Sequence, residues 1–330
     1  MVKSMFAGVA GLRAHQQKMD VIGNNIANVN TWGFKGATVS FKESMYQTVI
    51  QSSAGSANKG ALGGTNSSQV GYGAQFSSIK QNFTQGNYSP TDSPLDCMIN
   101  GSGFFLVGTH DGNEEGDIPL CENANNLKLS RVGDFEMKAI LEGTGDDAEE
   151  RTYLTDSSGY LVYGVAVEDE DGTGDGIKLS QDVKGDNLKY KEDETELRAL
   201  RIPKAPVDDD GKEDKFASFT IDETGVLTGT TESGASYVVG RIVIGSVPNP
   251  GGLTNQAGAY YQVYGSSGEV QISDAGGAIG SLVTNGLEMA LVDLSTEMSN
   301  MITTQRGFQA NSKIITVTDE MLEQLVNMKR

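Results

Sequence analysis

The sequence predicts a mixed fold. A mainly β body of short antiparallel strands lies between long N- and C-terminal α-helices that pair as a coiled coil. Three observations predict it. Apolar residues recur every seven positions at both chain ends. In the middle of the chain their period shortens to two. Glycine is abundant and proline scarce, 42 against 7 in 330 residues, which suits many short strands joined by tight turns.

At the N-terminus, Met5, Leu12, Met19 and Ile26 fall seven apart, with Val9, Ile22 and Val29 between them. This is one apolar stripe of heptad type. Gly8, Gly11 and Gly23 weaken it, each by about 1 kcal/mol relative to alanine. A helix this short is marginal alone in water and needs a partner. The C-terminus offers one. Leu287, Leu294, Met301, Phe308, Ile315 and Leu322 also fall seven apart, Leu291 and Met298 continue the seam, and Val326 closes it. Gln305, Ser312 and Asp319 interrupt it. A second stripe runs through Ile314, Val317, Met321, Leu325 and Met328. One partner helix covers one face, so a helix apolar on two sides calls for several neighbours.

The expected subunit-contact residues are therefore Met5, Leu12, Met19, Ile22 and Ile26 on the first helix. On the second they are Leu287, Leu291, Leu294, Met298, Met301, Phe308, Ile315 and Leu322.

Between the ends, Gln75–Phe83, Phe104–Val107, Tyr160–Val167, Phe219–Asp222 and Arg241–Ile244 read as strands, with turns such as Asp156–Gly159 and Glu223–Gly225. The stretch 52–73 is rich in Ser, Gly, Asn and Ala and reads as an extended linker. The expected organisation is a discontinuous helical core from 1–30 and 286–330 and a connecting region from 31–75 and 265–285. A β-rich domain spans 76–164 and 200–264, and an acidic outer insertion covers 165–199.

Charge narrows the function. The net charge is −19, from 25 basic and 44 acidic residues, which disfavours nucleic acid and anionic membrane as partners. The acid concentrates in 141–215, at Glu168–Asp171, Glu192–Glu194 and Asp208–Asp210 among others, and this stretch is placed on an outer surface. No apolar run is long enough to span a bilayer. The start from Met1 to Ala10 does not read as a cleavable signal.

No catalytic, metal or cofactor site is expected. His15 sits on the helical seam and His110 in a loop, neither with ligand-spaced partners. Gly101-Ser102-Gly103 is followed by strand-type residues, which fails the context of a phosphate loop. The acidic loop counted from Asp169 has Ser180 where a calcium loop needs glutamate. Cys97 and Cys121 make no disulfide framework.

The run from Leu12 to Thr31, containing Gly23-Asn24-Asn25-Ile26-Ala27-Asn28 and followed by Gly33-Phe34-Lys35, resembles the N-terminal signature of the rod, hook and hook-associated axial proteins of the bacterial flagellum. Val292-Asp293-Leu294, Met301-Ile302 and Gln305–Lys313 resemble the same family's C-terminal motif. Gly64-Thr65-Asn66 with Gln69–Gly73, then Phe83–Gly86, is similar to hook members. Ile99-Asn100-Gly101, Arg131-x-Gly133-Asp134-Phe135 and Asn249–Leu253 occur across hook and distal-rod members alike.

The resemblance implies a structural subunit with no cofactor. It would polymerise with copies of itself into a curved, flexible hook that passes motor torque to the filament and channels exported subunits. It also implies contact with the rod proximally, a hook cap during assembly, junction proteins distally and the flagellar export apparatus. Localisation would be the flagellum, reached without a cleavable signal peptide. A distal rod subunit is the alternative, and a secreted β-rich adhesin or binding module a more remote one.

Overall fold

A computed structural model describes residues 2–53, 64–109, 120–121, 127–142, 149–166, 197–202, 215–277 and 279–328. His110, the acidic stretch 167–196 and the loop counted from Asp169 lie outside them. Two compact units result. One comprises Met1–Val29, Lys35–Asn82 and Val292–Arg330, the other Asn30–Phe34 and Phe83–Leu291. The mixed architecture expected from the sequence, a β body with a helix at each chain end, is present.

In the first unit, α1 (Val2–Ala27) and α2 (Leu294–Met328) are long helices of 26 and 35 residues, about 39 and 52 Å at 1.5 Å per residue. Strand Ala37–Glu43 pairs antiparallel with Ala74–Gln81, from Ala37 opposite Gln81 to Glu43 opposite Ala74. A register shift lies between Ser40 and Phe41. A second ribbon pairs Tyr46–Ile50 with Ser68–Gly71. The connecting region expected over 31–75 therefore carries paired strands. In the first of these strands Ala37, Val39 and Phe41 do alternate, a strand signal the sequence reading passed over; in the second ribbon Tyr46, Val49, Ile50 and Val70 show no period of two. Gly73 adopts a positive φ of 101° and lies so close to α1 that a Cβ would stand 3.1 Å from the Ala7 backbone. Both conditions favour glycine.

The second unit is built on an antiparallel sheet. Along its main path the strands run Phe135–Glu142, Glu149–Asp156, Leu161–Ala166, Ser236–Ser246, Phe104–Gly108, Lys128–Ser130, Tyr260–Gln262 and Thr254–Gln256. The strand Ser236–Ser246 also pairs with Val226–Thr231 and with Gln271–Asp274. The turn 156–159 matches expectation. Gly159 holds φ at 87° and its N–H donates to the Asp156 carbonyl at 2.8 Å, and strand Leu161–Ala166 follows.

The uninterrupted run Phe104–Val107 is explained by two apolar clusters. Phe105 and Val107 enter one cluster with Phe135, Leu154 and Ile244. Phe104 and Leu106 enter the other with Leu129, Leu161 and Val243. Successive side chains of a strand point to opposite faces, so a strand covered on both faces shows no polar alternation. Phe105 meets Phe135 edge-on at 5.1 Å, and Phe104 meets Tyr261 at 5.7 Å, an arrangement aromatic rings favour. Cys97 is a free thiol with no exposed surface, and burial pushes its pKa well up. It packs as a small apolar group.

The structure corrects two expectations. Residues 265–285 are not a linker. Gln271–Asp274 joins the main sheet and Gly280–Thr284 pairs with Cys97–Gly101. The C-terminal helix does not begin at 286. Gly286–Glu288 is a strand paired with Tyr88–Pro90, preceded by Asn285 at φ 59°, and α2 starts at Leu294.

The same strand brings distant segments together. Arg131 Nη1 donates to the Gly103 carbonyl at 2.7 Å and Nη2 to the Gly101 carbonyl at 2.8 Å, while Nε lies 3.4 Å from Glu288 Oε2. The Gly86 N–H donates to Glu288 Oε1, and the Gly33 N–H to the Glu288 carbonyl at 2.8 Å. Gly33, Gly86, the pair Gly101 and Gly103, and Arg131 come from four separate stretches of sequence, and the residues of one buried ion pair tie them into the body.

Candidate assembly surface

The two terminal helices pack antiparallel. Gly8 faces Asn311 and Ile315, Gly11 faces Asn311, and Gly307 faces His15. A Cβ on Gly8 would meet Ile315 Cγ1 at 3.3 Å, and one on Gly307 would meet the His15 ring at 2.8 Å. Gly8, Gly11 and Gly307 therefore let the helices approach closely, whereas Gly23 has no neighbour to make room for.

Each helix has local signals at its ends. Asp293 caps α2. Its Oδ1 accepts the Ser295 N–H at 3.0 Å and its Oδ2 accepts the Thr296 hydroxyl at 2.6 Å, satisfying donors that a helix start leaves open. These bonds hold the Asp293 carboxyl below its usual pKa. At the end of α1, Asn28 Nδ2 donates to the Asn24 carbonyl at 2.9 Å. Asn25, 2% exposed, donates from Nδ2 to the Ala37 carbonyl at 2.8 Å and accepts the Ala37 N–H at 3.0 Å. That reciprocal pair pins the first strand of the ribbon to α1.

Met5, Leu12, Met19 and Ile26 are half-buried on α1 and Ile22 is buried. On α2, Met301, Phe308, Ile315 and Leu322 are half-buried. Thr304 and Thr318 lie between them, buried. Their hydroxyls donate to the Asn300 carbonyl at 2.7 Å and the Ile314 carbonyl at 2.6 Å, which lets polar residues occupy a covered face. Leu294 and Met298 are on α2 but exposed, at 43% and 53%. Leu287 and Leu291 are not on the helix: Leu287 is buried in the strand paired with Tyr88–Pro90, and Leu291 donates its N–H to the Phe34 carbonyl.

Two exposed apolar patches remain on α2. One is Leu294, Met298 and Ile302. The other is Ile314, Val317, Met321, Leu325 and Met328. At 100° per residue each patch spans an arc of about 80°, centred about 110° to one or the other side of the seam from Met301 to Leu322. The second patch is the second stripe of the sequence. The first is masked in the sequence, because Leu294 and Met298 also fit the heptad phase of the seam.

His15 occupies a polar flaw in this unit. Its ring meets Phe41 edge-on at 6.0 Å and its Nδ1 is buried without a hydrogen-bond partner among the described residues. Burial and the nearby Lys18 ammonium both lower its pKa. No cluster of metal-ligating side chains occurs among the described residues, and no described helix is long and apolar enough to cross a membrane.

Hydrophobic periodicity does not single out Asn25, Asp293, Thr304, Thr318 or the body pair Arg131–Glu288; Asn25, Asp293 and Arg131 stand in the sequence only as members of the terminal and internal motifs. The aspartate carries a readable signal, a helix-capping residue just before an apolar periodic run. The others act across long separations or through local back-bonding and leave no periodic trace.

Comparison with known proteins bears on both ends and on the whole length. The family model described as flagella basal body rod protein matches residues 5–35, and the one described as flagellar basal body rod FlgEFG protein C-terminal matches 284–328. The chain is similar to the flagellar basal-body rod protein FlgG of Bacillus subtilis (strain 168), 33% identical over 332 residues and covering 100% of both chains. It is similar to the flagellar hook protein FlgE of Borreliella burgdorferi, 28% identical over 446 residues, again covering 100% of both. The flagellar hook protein FlgE of Treponema pallidum is 26% identical over 466 residues with the same coverage.

Proposed function

The chain belongs to the rod and hook family of the bacterial flagellum, and from that premise we propose that it is the hook subunit. It polymerises into a curved, flexible tube that passes motor torque to the filament and channels exported subunits. The observation that carries this reading is the pair of exposed apolar patches flanking the helix seam. An isolated copy leaves them in water. Helices of neighbouring copies on either side cover them, each buried Leu, Ile, Val or Met contributing about 1.5–3 kcal/mol. Paired as a coiled coil with their seams joined laterally, the terminal helices line the inner wall of the tube.

The family supplies the rest of the proposal. The subunit reaches the growing tip through the flagellar export apparatus. It contacts the rod below, a hook cap during growth and the junction proteins above. Neither catalysis nor a cofactor enters the reading.

Hook is preferred over distal rod on the stretch Gly64–Gly73, which is similar to hook members. The distal rod is the second reading, favoured by the end-to-end similarity to a rod protein. Electron microscopy of the polymer formed by the purified full chain tests both. A curved tube whose bend varies along its length is expected. A straight, stiff tube transfers the assignment to the rod, and a chain that stays monomeric at high concentration overturns both.

A further inference from the structure

Six of the 11 methionines lie on the two terminal helices: Met5, Met19, Met298, Met301, Met321 and Met328. Both exposed patches of α2 carry thioethers. Met298 is 53% exposed, Met321 43% and Met328 79%, whereas Met98 in the β body is 3% exposed. Around them stand Leu294, Ile302, Val317 and Leu325, aliphatic side chains that offer no hydrogen bond. A thioether suits such a surface, being apolar and adaptable. A sulfoxide does not, because its S–O dipole would be buried without a donor.

We propose that Met298, Met321 and Met328 are modification sites through which peroxide controls assembly: oxidised in the free subunit they block self-association, and in the assembled tube they are shielded. The inference rests on the polymer reading above. In the reaction, a sulfur lone pair attacks one oxygen of hydrogen peroxide. The S–O bond forms as the O–O bond breaks, and the departing hydroxide takes up the remaining proton to leave as water. The sulfide is oxidised by two electrons and the peroxide reduced by two. Methionine sulfoxide reductases acting on the two epimers reverse it.

Assembly then has a chemical precondition. A free subunit with reduced thioethers buries both patches. A subunit oxidised at either patch loses part of the apolar drive and places a polar group in the contact. Each sulfoxide raises the critical concentration on the order of tenfold, from the lost burial of one methionine.

The test treats the full-length protein with hydrogen peroxide before or after polymerisation, maps sulfoxides by mass spectrometry and measures critical concentration by pelleting. Two triple variants are compared with the unsubstituted chain. Met298→Leu with Met321→Leu and Met328→Leu keeps the patches apolar. Met45→Leu with Met137→Leu and Met289→Leu removes other exposed thioethers, 80%, 41% and 43% exposed. Peroxide is expected to raise the critical concentration of the unsubstituted chain and of the second variant at least tenfold. It should leave the first variant unaffected, and the two reductases should restore assembly. In preformed polymer, Met298, Met321 and Met328 should oxidise on the order of tenfold more slowly than in the free subunit.

Normal assembly of the oxidised chain overturns the proposal, as does equal inhibition of the first variant. So does oxidation of Met98, which would mark general unfolding. If the untreated chain itself forms no polymer, the reading as an axial subunit fails. If it polymerises equally with and without peroxide, only the role of the thioethers does.

Discussion

Arg131 and Glu288 form an ion pair sealed inside the β body, with Nε 3.4 Å from Oε2 and side-chain exposures of 1% and 0%. They are far apart in sequence, and their side chains also hold backbone from two other segments, at Gly86 and at Gly101–Gly103. Burial pushes the Arg131 pKa down and the Glu288 carboxylate works against that shift; a guanidinium does not give up its proton in a protein, so Glu288 compensates a buried charge that stays whether or not the partner is present. Glu288→Ala should destabilise the body by about 3–5 kcal/mol, because it strands a buried cation. Replacing both, as Arg131→Met with Glu288→Leu, should cost less than the sum of the single changes. A double-mutant cycle in urea checks it, and additivity would mean the two side chains act independently.

Leu287 and Leu294 share a heptad phase but not a role. Leu287 is 4% exposed within the body, Leu294 43% exposed on α2. Leu287→Asp should unfold the body, read as loss of its near-ultraviolet circular dichroism. Leu294→Asp should leave that signal intact and abolish polymer in a pelleting assay. Equal loss of folding in both would contradict the assignment of Leu294 to an intersubunit contact.

Helix propensity and packing oppose each other at the glycines. A Cβ on Gly23 would find no atom within 4 Å, whereas one on Gly307 would press on the His15 ring at 2.8 Å. Gly23→Ala should raise the stability of the helical unit by about 1 kcal/mol. Gly307→Ala should lower it or leave it unchanged, since the displaced ring offsets the propensity gain. Thermal unfolding of the free subunit separates the two.

His15 makes the helical unit acid-sensitive. Its folded pKa is below the ordinary 6.5, chiefly through burial and also through Lys18. Between the two values the unfolded chain binds more protons, so stability falls as pH falls through 6.5 toward the folded value. Above 6.5 the contribution is complete. His15→Gln should flatten the stability–pH curve in that window, measured by denaturant unfolding at pH 5–8.

Asp293 acts at lower pH. Its folded pKa lies below 3.8 because the Thr296 hydroxyl and the Ser295 N–H bond its carboxylate. The cap is therefore fully present above 3.8 and lost as pH falls through the folded value. Protection of the Ser295 and Thr296 N–H groups against hydrogen exchange, relative to the unstructured rate at the same pH, should fall below pH 3.8 in the unsubstituted chain. Asp293→Ala should lack that protection above pH 3.8, the two chains converging as pH falls through the folded value, and no difference above 3.8 would mean that the carboxylate does not cap the helix.

Periodicity in the sequence determined that both ends are helical, that the middle is β, and that the C-terminal helix is apolar on more than one side. These are local properties, because side chains three, four or seven apart share a helix face whatever else the chain does. Tertiary structure decided where the pattern stops applying. Leu287 keeps the heptad phase, yet strand pairing with Ser89 and the cap at Asp293 place it in the body and start α2 later. It also decided which apolar stripe faces α1 and which faces solvent, and it joined Arg131 to Glu288 and Asn25 to Ala37. Such contacts depend on how the chain folds back on itself, and a single pair between distant positions leaves no repeat for a periodic reading to detect.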